Sequence, residues 1–208
     1  MRTLANIQPK LNGSVLLNNK EISFYKPLEL ASELSLVLTE QLPFRNLTVS
    51  EIVTLGRQPY TNWIGTLSKK DVVKVKEALS LVEIEDIQHK KCYELSDGQL
   101  QKVMISRALA QDTSLIILDE PTTHLDIYHK AYVLRLLKRI AAETNKTILF
   151  STHEIDLAIQ LSDKMLILNR AEAFFGNPCE LIEMGRFNGL FPDNLINFDP
   201  QTGTFRII

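Results

Sequence analysis

"LIILDEPTTHLD", residues 115–126, runs four apolar residues straight into two adjacent carboxylates, Asp119 and Glu120, and then Pro121. A short, uniformly apolar run closed by a turn signal is the pattern of a strand buried on both faces, as in a covered parallel sheet. In open α/β sheets the ligand crevice lies at the carboxyl ends of such strands, and both acids stand there. Neighbours along a strand point opposite ways. The two acids can therefore do different work, one facing a magnesium ion through its water shell and the other polarising an attacking water. On this stretch alone, a helix-capping aspartate beside a solvated glutamate fits equally well.

Strands and helices alternate after this point: helix 127–142, strand 147–151, helix 155–161 and strand 165–168. That alternation indicates an α/β fold with a parallel, covered sheet. Upstream, "NGSVLLNNKEI" (12–22) reads as small strands with turns, 27–34 as a short helix and 34–38 as a strand. Thr48 with Glu51 has capping-box spacing and starts a helix. Residues 68–84 carry apolar positions 72, 75, 79 and 82, which is helical periodicity. Residues 43–95 thus form a mostly helical insertion. A short helix is expected at 178–184 in the turn-rich tail.

Two further stretches bear on chemistry. "ELSDGQLQKVMISRALAQ" (94–111) opens a helix with apolar positions 100, 103, 104 and 108 on one face. Ser96 with Gln99 makes Ser96 the N-cap, and Gly98 in the first turn lets backbone approach a ligand closely. A helix N-terminus so equipped suits an anion, though an ordinary well-capped helix has the same features. "TILFSTHEIDLA" (147–158) is another strand leading to His153 and a helix. A lone histidine there gains meaning only from its company.

Bulk properties limit the class. The 208 residues are 45% hydrophobic with a formal net charge of −2, which gives no basic footprint for nucleic acid. No apolar run approaches the roughly 18 residues of a membrane span. The N-terminus has no secretory pattern, and Cys92 and Cys179 lie far apart, as expected of reduced thiols in a cytoplasmic protein. His89, His124 and His129 lack ligand partners at suitable spacing and read as solvated. Tyr60 and Trp63, beside Gly65, fit either a loop contact or core packing.

Taken together, "LSDGQ", "LIILDEPTTHLD" and "STH", in that order and spacing, resemble the signature loop, Walker B, D-loop and switch histidine of ABC transporter ATP-binding subunits. The segment "VLTEQLPFRNLTVSEIVTLGRQPYTNWIG" (37–65) is similar to the Q-loop and helical subdomain of importers of iron complexes, siderophores, haem and cobalamin. The resemblance covers essentially the whole chain. It implies a P-loop NTPase-like fold, mostly parallel sheet with flanking helices, as one ABC ATPase domain over 1–208 with a helical subdomain at about 43–110.

It further implies ATP and Mg2+ as cofactors. Asp119 would hold magnesium, Glu120 would act as base or water-orienting group, and His153 would contact the γ-phosphate. Asp126 would couple two sites. Ser96, Asp97, Gly98 and Gln99 would form the signature that caps ATP held by an opposite subunit. The Q-loop residue is Glu40 by spacing or Gln41 by identity. Asp97 departs from the usual glycine and must point away from phosphate. The implied partners are a second ATP-binding subunit, paired head to tail, and membrane permease subunits docking on 43–95. The implied location is the cytoplasmic face of the membrane.

One expected element is missing. A phosphate-binding loop reads G-x-x-x-x-G-K-[ST], whose backbone amides wrap the phosphates and whose lysine neutralises them. None of the eight glycines, at 13, 56, 65, 98, 176, 185, 189 and 203, is followed by lysine. The opening residues resemble the chain just downstream of that loop in the family. A fragment, a misassigned start at Met1 and a natural truncation all remain open; intact motifs downstream favour the first two. A preceding strand would be lost as well, which would leave apolar sheet surface uncovered. Three functions compete: a transport ATPase, a non-hydrolysing partner that lends only its signature, and a soluble relative in DNA repair or translation. The short insertion and single cassette disfavour the last.

Overall fold

Turn chemistry sets the first element. Asn18 and Asn19 both adopt left-handed backbone, φ 50° and 62°, which a two-residue hairpin turn demands and asparagine tolerates. They join β1 (Leu16–Leu17) to β2 (Lys20–Glu21). The computed structural model describes residues 1–39, 46–169, 172–191 and 194–208, which group into two compact units, Met1–Ser151 and Thr152–Ile208.

In the first unit Pro27 opens α1 (Pro27–Glu33), where its fixed φ suits the first helical position. The chain then enters β3 (Leu34–Val37). Helices α2 (Val49–Thr54), α3 (Lys69–Leu81) and α4 (Asp97–Ala110) follow. Thr48, Ser68 and Ser96 cap their N-termini, each in a reciprocal capping box. After α4 come β4 (Leu115–Leu118), α5 (Ile127–Thr144) and β5 (Thr147–Phe150). Strands β3, β4 and β5 form a parallel sheet in that order, in the register Val37, Leu118, Phe150.

The central strand β4 buries Ile116, Ile117 and Leu118, as its apolar run predicts. Strand β5 is as apolar, yet as an outer strand it leaves Leu149 36% exposed. On α3 the apolar stripe is offset from expectation: Val75 and Leu79 are buried with Val82 just beyond the helix, while Val72 faces outward.

Beneath these helices lies an ion pair. Arg57 and Asp71 are each only 3% exposed. Arg57 Nε and Nη2 both lie 2.8 Å from Asp71 Oδ1, and Nη1 donates to the Ala110 carbonyl at 2.8 Å. Asp71 Oδ2 accepts from the Ser68 hydroxyl and amide. The carboxylate therefore caps α3 and holds Arg57, whose guanidinium fastens the 310 turn after α2 to the end of α4. The Ser68 hydroxyl and amide, and after them the Arg57 guanidinium, hold the Asp71 carboxyl below its ordinary range against the opposing effect of burial.

The second unit contains α6 (Ile155–Leu161), the hairpin β6 (Met165–Asn169) and β7 (Glu172–Gly176), α7 (Pro178–Glu183), and the hairpin β8 (Ile196–Asp199) and β9 (Thr204–Ile207). Its core gathers Ile167, Leu181, Phe187 and Phe198, with the two phenylalanine rings stacked at 4.9 Å.

Candidate functional site

Parallel register brings the residues just past β3, β4 and β5 to one edge of the sheet. The Asp119 amide donates to the Val37 carbonyl at 2.8 Å, and the Ser151 amide to the Leu118 carbonyl at 3.0 Å. Ser151 then serves both acids. Its hydroxyl donates to Asp119 Oδ1 at 2.7 Å and accepts from the Glu120 amide at 3.0 Å. Thr39 Oγ1 donates to the Asp119 carbonyl at 3.2 Å.

Glu120 does not follow the strand pleat. The strand stops at Leu118 and Glu120 has left-handed backbone, φ 47°. Strand alternation therefore ends before it, and its direction is set by the turn. Thr123 Oγ1 donates to Glu120 Oε2 at 3.0 Å and fixes it there. Such backbone costs a non-glycine residue about 1 kcal/mol or more and persists only where neighbours enforce it. Here the Ser151 bond to the Glu120 amide does so.

The second cluster is the N-terminus of α4. Ser96 Oγ accepts from the Gln99 amide at 3.3 Å, and Gln99 Oε1 accepts from the Ser96 amide at 3.2 Å. Ser96 and Asp97 are exposed, whereas Gly98 is buried. Unpaired amides and the aligned peptide dipoles make this end electropositive, and Asp97 sits in the turn where a carboxylate suits that dipole.

What buries Gly98 is α5. Asp126 is the N-cap of that helix, its Oδ1 accepting from the His129 amide at 2.9 Å. The His129 ring Nδ1 lies 2.8 Å from Asp126 Oδ2. The amide, and then the ring, hold the Asp126 carboxyl below its ordinary range. The ring lies so close to Gly98 that a Cβ there would be 2.8 Å from His129 Cδ2. His129 is exposed, as the sequence reading expects, and it is also held by a carboxylate. Asp126, one turn away at the start of the same helix, orients it.

His153 is exposed, in the second unit, its carbonyl accepting from the Ile155 amide as α6 begins. Glu40 and Gln41 lie outside the described residues. Trp63 is 94% exposed, so core packing is excluded for it. Thr39, Thr123, Ser151 and His129 were all missed from sequence. Only strand order and register put Ser151 beside Asp119, and only helix packing puts His129 over Gly98. Among the described residues no helix is long and apolar enough to cross a membrane, and no cluster of three His, Cys, Asp or Glu side chains could hold a metal alone.

Comparison with known proteins gives consistent matches. A family model described as "ABC transporter" matches residues 1–123. An ABC transporter ATP-binding protein of Methanocaldococcus jannaschii, itself uncharacterized, is 38% identical over the whole chain and 72% of its own length. The petrobactin import ATP-binding protein of Bacillus anthracis is 34% identical, covering 92% of this chain and 71% of that protein. Among solved structures, the dimeric post-hydrolysis state of an ATP-binding cassette bound to ADP and Pi superposes with a TM-score of 0.69. It is 26% identical and covers 85% of this chain and 78% of that one.

Proposed function

The chain belongs to the ABC transporter ATP-binding family, and from that premise we propose that it serves an importer of iron complexes such as siderophores, lending its signature turn to ATP held by a second subunit. The observation that carries this reading is the α4 N-terminus. A serine cap, a buried glycine and unpaired amides there form an electropositive jaw. In this reading Ser96, Gly98 and Gln99 close on the γ-phosphate of the ATP bound by the partner, with Asp97 turned aside, and Asp126 passes closure from one site to the other. Residues 1–208 act as one ABC ATPase domain whose helical part, about 43–110, docks on permease subunits at the cytoplasmic face. The iron-complex class is inferred from the petrobactin relative and the 37–65 segment.

The acids at the end of β4 support the family reading through the bonds that hold them. Magnesium retains several waters and takes one or two carboxylates beside the phosphates. A single carboxylate, Asp119, braced by the Ser151 hydroxyl, fits that habit better than it fits a full protein cage. Bound there, magnesium would neutralise phosphate charge. Glu120, braced by Thr123, would orient the attacking water, and His153 would meet the γ-phosphate. Either Glu40 or Gln41 would add an oxygen on the magnesium side. These steps require a glycine–lysine cradle for the triphosphate, and these 208 residues contain none. The chemistry in the completed site is positioning and charge stabilisation of an in-line phosphoryl transfer.

The test is to mix the chain with an intact, Walker A-bearing subunit of the same importer class and count ATP hydrolysed per dimer. One active site per mixed dimer, abolished by Ser96→Ala with Gly98→Asp, is expected. Two active sites, or none with the wild-type chain, would refute the reading.

A further inference from the structure

We propose that His129 is a positioning residue that ties the first turn of α4 to the first turn of α5, so that the signature turn and the acidic loop after β4 move as one piece. This rests on the reading of Ser96 to Gln99 as the phosphate jaw.

Three observations build the link. First, His129 is doubly anchored to Asp126, through its amide at 2.9 Å and its ring Nδ1 at 2.8 and 2.9 Å from the two carboxylate oxygens. An ionised carboxylate only accepts, so Nδ1 carries the proton and the ring orientation is fixed. Second, that ring closes directly on the Gly98 backbone. A Cβ at Gly98 would meet Cδ2, Cγ and Nε2 at 2.8, 3.4 and 3.5 Å. Gly98 lies in helical backbone, where glycine costs about 1 kcal/mol against alanine. Its backbone conformation gives no reason for glycine, and the ring contact supplies one. Third, the ring is backed by Tyr128, edge-on with centroids 5.3 Å apart.

The connection continues down the chain. Asp126 ends the loop that starts at Glu120, and this loop is tight: the Thr123 amide donates to the Glu120 carbonyl and the Leu125 amide to the Thr122 carbonyl, with Thr122 and Leu125 buried. A displacement of the acids after β4 is thus carried through Asp126 and the His129 ring to the Gly98 turn, all within one subunit. Closure on the partner's ATP and the posture of this chain's own acids become coupled quantities.

Two measurements test the link. In the isolated chain, His129→Ala speeds amide exchange at Gly98 and Gln99 about tenfold and leaves the last two turns of α4 unchanged, as a local opening predicts. Gly98→Ala lowers the Tm of the wild-type chain, but not that of the His129→Ala chain, where the space for a Cβ has been vacated. In the mixture with an intact subunit, His129→Ala raises the ATP needed for half-maximal pairing about two- to fivefold, the loss expected for one solvent-exposed pair of this kind. His129→Asn, which keeps a donor to Asp126, recovers part of it. If wild-type chain does not pair at all, the proposed function fails, while the exchange and Tm data still decide the link. If wild type pairs, His129→Ala pairs at the same ATP and Gly98 exchange is unmoved, the link is overturned.

Discussion

Replacing Arg57 by methionine tests how the helices that carry the signature turn are held together. The guanidinium meets Asp71 Oδ1 twice at 2.8 Å, reaches the Ala110 carbonyl at 2.8 Å and stacks 4.0 Å from the Tyr60 ring centroid. Breaking a buried ion pair by removing one partner costs about 3–5 kcal/mol, because the other charge stays buried. Asp71 Oδ2 keeps its two Ser68 bonds, at 2.6 and 2.8 Å, which pulls the loss toward the lower end. The stranded Ala110 carbonyl and the lost ring contact push it back up, so about 3–4 kcal/mol is expected. For a chain of this length each kcal/mol moves Tm by roughly 2–4 °C, which places the drop between roughly 6 and 16 °C.

Asp71→Asn in the same background should restore part of the loss, since the uncompensated charge disappears, with a coupling of about 1.5 kcal/mol or more. The folded-state pKa of Asp71 is depressed, so its contribution is full above the unfolded value near 3.8 and fades as pH falls through the folded one. The wild-type advantage over Arg57→Met should therefore narrow only in that acid range. Urea titration of the three variants followed by far-UV circular dichroism gives the numbers. An Arg57→Met chain within about 0.5 kcal/mol of wild type would show that the pair is not a fastening at all.

Gly56→Ala should destabilise by about 3 kcal/mol or prevent folding, because its Cβ would sit 2.2 Å from the Arg107 carbonyl oxygen, where only backbone could give way; thermal unfolding checks it. Ser151→Ala removes the bridge between Asp119 and the Glu120 amide and should cost about 1–3 kcal/mol, with Ser151→Thr recovering most of it. Exchange of the Glu120 amide is the direct readout, and no change there would discount the bridge. Trp63→Ser should leave Tm within about 1 °C, since the ring is exposed, yet weaken co-purification with a permease; an unchanged yield would remove Trp63 from the docking surface. Glu51, Glu83 and Asp126 also have depressed carboxyl pKa values, through Thr48, Arg139 and the His129 amide as first causes. Stability should hold steady above about pH 4.5 and decline as pH falls below it, which denaturant midpoints measured from pH 7 to pH 3 would show.

Local pattern was enough for much of this molecule, because each signal involves residues within one turn of each other. The capping boxes at Thr48 and Ser96 lie three residues apart, and the structure forms both. The apolar run 115–118 became a buried central strand for the reason its composition gives. Linked motifs of this kind, in fixed order, also sufficed to place the chain in its family. Composition carried less. "TILF" is as apolar as "LIIL", yet it lies at the outside of the described sheet, with Leu149 partly exposed.

What the amino-acid order determined by itself was therefore short-range: helix starts, buried runs, and the identities of the acids and of the serine-capped glycine turn. Tertiary structure alone decided which of these meet. Ser151 stands 31 residues beyond Glu120 and touches it only because β4 and β5 pair in parallel at one register. His129 covers Gly98, Arg57 reaches Ala110, and Glu120 leaves the strand pleat, each through packing between segments distant in the chain. Contacts of that kind depend on which faces of separate elements bury against each other. That choice is made by the whole core at once, and no window of neighbouring residues contains it.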